Sequence, residues 1–208
     1  MLSRLFVVAL MGLSSSVFAG GWQVKIGGSV LAPSKDNNTL VDGAVTNAKA
    51  DHAFSFTPSI EYFFGDTNIS SELLLATPFK HDVTANVAGG PSETIASFKH
   101  LPPTLTVKYN FKNSTGFTPY IGIGATAVIA WDEETKGSLT GTKLKAENAY
   151  GVAGQVGFNF QPADAKNWGV FADVRYADVG SELKWNGQKI GTLEVNPWVY
   201  SVGYSYKF

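Results

Sequence analysis

The 208-residue sequence contains no cysteine. That excludes a disulfide framework and thiolate chemistry. Charge is scarce as well: 16% of residues are charged, 16 basic against 17 acidic, for a formal net charge of -1. Such a balance leaves no basic footprint, and nucleic acid is not an expected partner. The three histidines, His52, His81 and His100, are scattered, and neither a Gly-x-Ser-x-Gly elbow nor a metal-spaced cluster occurs. His81-Asp82 and Asp132-Glu133-Glu134 read as solvated loop charge. No enzyme, no metal and no cofactor is therefore expected. Beyond the amino terminus no apolar run approaches the roughly 20 residues that a membrane-spanning helix needs.

What is present is alternation. From Trp198 to Phe208, large apolar side chains occupy Trp198, Tyr200, Val202, Tyr204, Tyr206 and Phe208, with Ser201, Gly203, Ser205 and Lys207 between them. A strand sends successive side chains to opposite faces. A soluble barrel packs its large apolar groups inward. Here the small and polar set looks like the inner one, so the outer face is suited to lipid, the signature of a transmembrane β-barrel strand. The terminal aromatic, Phe208, resembles the signal read by outer-membrane assembly machinery.

The amino terminus agrees. Arg4 precedes the apolar run Leu5 to Leu13, then Ser14 to Ser16 and the small-residue site Val17-Phe18-Ala19. This pattern predicts a secretory signal peptide over residues 1–19, with a single domain over 20–208. A membrane protein without spanning helices must be a closed barrel, because only those two structures satisfy their backbone groups in lipid.

Eight alternating segments are expected, near residues 22–31, 53–64, 68–77, 97–111, 117–131, 149–160, 168–178 and 193–208. Short turn-like connectors (65–68, 113–116, 161–167) alternate with longer polar ones (32–52, 80–96, 132–148, 179–192), as short periplasmic turns alternate with long extracellular loops. A short helix within 133–148 has only weak periodicity behind it. Aromatics gather at the strand ends, Trp22, Tyr62, Phe64, Tyr109, Phe111, Phe158, Phe160, Trp168, Tyr206 and Phe208 at one side and Phe54, Phe56, Trp131 and Trp198 at the other. They make two interfacial girdles.

With the apolar faces outward, the charged strand residues Lys25, Glu61, Glu72, Lys108, Asp173, Arg175 and Lys207 fall inside, nearly all in the periplasmic half. Buried charges must pair, so they are expected to plug the lower lumen with ion pairs. An eight-stranded barrel is wide enough only for side chains or one small ligand. The upper lumen, assigned to Leu31, Leu74, Ala76, Val128 and Ala130 with Pro78, Pro102 and Thr104, forms an apolar well. Pro58, Pro78, Pro102 and Pro103 interrupt three neighbouring strands toward one end. Proline cannot donate to a ladder, so a lateral opening there is expected.

Five stretches carry a family resemblance: Leu74-Leu75-Ala76-Thr77-Pro78-Phe79-Lys80-His81, His100-Leu101-Pro102-Pro103-Thr104-Leu105, Pro119-Tyr120-Ile121-Gly122-Ile123-Gly124-Ala125, Tyr150-Gly151-Val152-Ala153-Gly154-Gln155-Val156-Gly157 and Asn196-Pro197-Trp198-Val199. In this order and spacing they resemble the OmpW family of Gram-negative outer-membrane proteins, over essentially the whole mature chain. The resemblance implies an eight-stranded antiparallel barrel, integral to the outer membrane, with a hydrophobic channel closed toward the periplasm. It also implies passive uptake of small hydrophobic molecules by lateral release into the membrane, as associated with AlkL-type relatives. Implied partners are outer-membrane lipid and lipopolysaccharide, the barrel assembly machinery and small hydrophobic ligands. The alternative is a structural or adhesive barrel whose loops bind lipopolysaccharide, phage or host surfaces.

Overall fold

The computed structural model describes residues 21–35 and 38–208. The expected signal peptide, residues 1–19, lies outside the described residues. In chain order the strands are β1 (Gly21–Ala32), β2 (Asn38–Leu40), β3 (Val45–Ala50), β4 (Ala53–Phe56), β5 (Ser59–Phe63), β6 (Ile69–Leu74), β7 (Phe79–Val87) and β8 (Ser92–Leu101). They continue as β9 (Thr104–Asn110), β10 (Phe117–Thr135), β11 (Leu144–Ala146), β12 (Ala149–Phe160), β13 (Trp168–Asp178), β14 (Gly180–Trp185), β15 (Gln188–Glu194) and β16 (Trp198–Lys207).

Eight of these positions close a barrel. The antiparallel order is β1-β5-β6-β9-β10-β12-β13-β16, and β16 returns to β1 through pairs from Gln23–Lys207 to Ala32–Trp198. β4 extends the β5 position upward beyond a break at Thr57-Pro58 and pairs β1 from Gly28–Phe56 to Leu31–Ala53. The eight-stranded expectation is borne out, and so is the inverted alternation. In β1, Lys25 is fully buried while Ile26 is 50% exposed. Leu105, Ile123, Val152, Val202 and Tyr204 continue this exposed apolar band around the wall. Closure draws on small residues. Gly27 and Gly203 pair across β1 and β16, and a Cβ on Gly203 would lie 2.1 Å from the Ile26 carbonyl oxygen.

The girdles form through ring contacts, across strands for Trp22–Tyr62 with centroids 4.8 Å apart, and between alternate residues of one chain segment for Tyr109–Phe111 at 5.0 Å and Tyr206–Phe208 at 5.1 Å. At the other end Tyr176 and Trp198 meet at 4.9 Å. Phe117, absent from the expected set, joins Phe158 in the lower girdle.

The long connectors depart from expectation. They are not simple polar loops but a folded extension above the barrel. The hairpin β7–β8 joins β10 on one side and β3 on the other, while β11, β14 and β15 form a second sheet. An apolar core fills the space between them, including Leu40, Val45, Val83, Ile95, Ala146, Leu183 and Leu193. The expected single segment 97–111 is two strands, split at Pro102-Pro103, and Leu193 belongs to β15 rather than to the last wall strand. Between β10 and β11 the only helical element is a 3-10 turn, Gly137–Leu139.

Candidate functional site: an apolar well above a charged floor

Six inward charges meet in one cluster. Lys25 Nζ lies 2.9 Å from Glu61 Oε2 and 3.4 Å from Glu72 Oε2. Lys108 Nζ lies 2.8 Å from each of the same two oxygens. Arg175 Nη2 donates to Glu72 Oε1 at 3.1 Å and to Asp173 Oδ2 at 3.2 Å. Neighbouring strands supply neutral partners. Gln155 Nε2 donates to Asp173 and Glu72, the Tyr120 hydroxyl to Asp173, and Ser59 to Glu72. Tyr120 also places its ring 3.8 Å from Lys108 Nζ, a cation–π contact. Three positive and three negative groups compensate one another, as buried charges require.

Lys207 lies elsewhere. It is exposed at the periplasmic mouth, with its Nζ 5.4 Å from the Phe63 ring centre. Its inward alternation is right, but its place near the strand end puts it below the cluster. Tyr120 and Gln155 were not among the expected site residues. Both share the inward parity of Lys108 and Arg175, so parity applied to polar as well as charged residues would have found them.

Above the cluster is a cavity of about 60 Å³, several times the space that one water needs. Leu31, Leu74, Val128, Phe79 and Val199 line it, with Arg175 at its base. Ala76 and Ala130 do not line it. Ala76 packs behind Leu31 and Phe79, and Ala130 packs against the core of the extension. His81 and His100, scattered in sequence, stack at 4.9 Å beside Phe79 and Phe98 on the cavity wall. Register brings them together: β7 and β8 pair Phe79 with His100 and His81 with Phe98. The rim acids are occupied by lysines, Asp82 by Lys136 and Asp132 by Lys99. The hydrogen bond from Lys99 to Asp132 lowers the Asp132 carboxyl below its ordinary value. A second, larger cavity of about 120 Å³ lies within the extension. Phe98, Ala146, Leu183 and Leu193 border both cavities.

The wall is incomplete beside the well. Pairing of β6 with β9 ends at Leu74–Thr104, and pairing of β7 with β8 begins at Phe79–His100. Between these points, residues 75–78 and 101–103 have no ladder joining them, and Pro78, Pro102 and Pro103 fall in that interval. Pro102 and Thr104 reach the cavity. Pro58 sits on the sealed side: its carbonyl accepts from Leu75 N at 2.8 Å, and Phe56 O accepts from Thr77 N at 2.8 Å. The other flank is sealed too, with Ala127 N donating to Pro103 O at 3.0 Å.

A closed eight-stranded barrel with a lipid-suited outer band and its charges sequestered inside is an integral outer-membrane β-barrel. Within that class, the chain belongs to the OmpW family, which matches residues 18–208. It is 34% identical to outer membrane protein W of Vibrio cholerae, with 97% of each chain covered. Its fold is similar to that of the outer membrane protein OprG from Pseudomonas aeruginosa, with a TM-score of 0.79 and 26% identity over 92% of this chain and 97% of that one. Outer membrane protein AlkL shares the fold at a TM-score of 0.60 and 22% identity, over 94% of this chain and 93% of that one. These relatives are all outer membrane proteins. The chain resides in the outer membrane, surrounded by its lipid.

Proposed function

We propose that the protein is a passive channel through which small hydrophobic molecules cross the outer leaflet and leave sideways into the membrane. The observation that carries this reading is the apolar cavity that ends on a neutralised charge cluster and borders a proline-marked lapse in the wall ladder. A molecule enters the outer cavity, passes Phe98, Leu183 and Leu193, and reaches the well. The charge cluster blocks onward passage to the periplasm, because an apolar solute would have to break buried ion pairs. Lateral exit between residues 75–78 and 101–103 is the remaining route. The driving force is the transfer of apolar surface out of water, about 25 cal/mol per Å².

Uptake into outer-membrane vesicles with and without the protein tests this. A short alkane should enter faster with the protein, and a charged sugar of similar size should not. Equal acceleration of both means an aqueous pore and sinks the proposal. No effect on either favours the structural or adhesive role for the folded extension.

A further inference from the structure

We infer that Arg175 makes the base of the well a hydrogen-bonding seat for a neutral oxygen acceptor. The preferred cargo is then a small apolar molecule carrying one carbonyl oxygen, rather than a bare hydrocarbon or a fatty carboxylate. This rests on the channel reading above and specifies its cargo.

The Arg175 side chain is 5% exposed and lines the cavity. Its Nη2 is engaged by Glu72 and Asp173, but Nε and Nη1 have no partner. Those two nitrogens carry three N–H donors. A buried donor without an acceptor is costly, more so on a charged group. The three threonine hydroxyls around the cavity are already engaged. Thr57 bonds Ser29, Thr104 donates to Thr126, and Thr126 bonds the Pro103 carbonyl. His81 Nε2 and His100 Nδ1 are also unpartnered, but they belong to the stacked aromatic wall beside Phe79 and Phe98.

Charge balance decides the head group. Lys25, Lys108 and Arg175 are matched by Glu61, Glu72 and Asp173. A carboxylate would be a seventh, uncompensated charge in a site shielded from water. A carbonyl oxygen adds no charge and offers two lone pairs, while its apolar remainder packs against Leu31, Leu74 and Val128. A hydrocarbon leaves the donors unpaired. A site built to hydrogen-bond an oxygen rejects the analogue lacking it more strongly than an apolar pocket rejects an extra methylene. The rival occupant is a fixed water bridging Arg175 and the unpaired Asp173 Oδ1.

The test uses the full-length protein in outer-membrane vesicles with octane, 2-octanone and ionised octanoate as matched probes. With wild type, 2-octanone should compete for octane uptake about five- to tenfold more strongly than unlabelled octane does, after correction for partition into lipid, and octanoate should compete least. The infrared carbonyl band of 2-octanone bound to the protein should fall below its frequency in lipid. Arg175→Lys keeps the charge balance but removes Nε and the planar fork, so the ratio of ketone to octane competition should fall toward one, whatever the variant's absolute uptake. If that variant does not fold, the wild-type competition and carbonyl band decide alone. An unshifted carbonyl band or equal competition by ketone and octane overturns the inference, while the channel reading stands. Strongest competition by octanoate also overturns it. If no probe's uptake depends on the protein, the channel reading fails and this inference falls with it.

Discussion

Arg175 belongs to both halves of the lumen. One nitrogen ties Glu72 and Asp173 into the charge cluster, and the rest of the guanidinium closes the base of the apolar well. Arg175→Met therefore strands Asp173 without a cation among the described residues, while Glu72 keeps Lys25 and Lys108. It should cost roughly 3–5 kcal/mol of stability in urea unfolding from lipid vesicles, the range for breaking one side of a buried ion pair. Lys207→Met, at the exposed mouth, should change stability by less than about 0.5 kcal/mol in the same assay, as surface substitutions generally do. Equal losses in the two variants would place Lys207 in the cluster and contradict its position at the mouth. The contrast also shows how far sequence reaches at this scale. Strand parity assigns a side chain to the inner or outer face, and it does so correctly for Lys25 and Arg175 as for Lys207. It does not measure depth, and depth separates a buried ion pair from a solvated mouth residue.

Among the elements, the segment Pro102-Pro103 has the most specific role. Neither residue can donate a backbone hydrogen bond, and between Leu74–Thr104 and Phe79–His100 the ladder lapses. Replacing both by Val restores the missing donors and should extend pairing toward residues 75–78. Apolar uptake should slow several-fold with barrel yield unchanged. Unaltered uptake would remove the lateral exit from the account. Closure of the wall is tested by Gly203→Val, whose side chain would meet the Ile26 carbonyl; folded barrel should fall sharply in a heat-modifiability gel. The wall was legible because each of its strands alternates over nearly its full length, as in Trp198 to Phe208. The extension was not. Its strands are short, as in Leu144–Ala146, and residues such as Leu40, Val83 and Leu193 form an apolar face only after pairing brings them together. The stacked His81 and His100 were hidden for the same reason, since 19 positions along the chain collapse to a diagonal two rungs apart on one face once β7 and β8 pair.

At the scale of the whole molecule, the two cavities, the cluster and the wall lapse define one route with a bend in it. Phe98 borders both cavities, so Phe98→Ala should widen the passage and raise uptake of bulkier apolar probes relative to octane. An unchanged size preference would place the constriction elsewhere. Lateral release depends on the bend, and the absence of cysteine lets a cross-link probe it without background. Thiols introduced together at Ala76 and Leu101, one on each side of the unpaired interval, can be joined by a short bis-maleimide in the assembled barrel. The bridged protein should lose alkane uptake while each single-thiol variant, treated identically, retains it. Full alkane uptake through the bridged barrel would contradict exit through the wall.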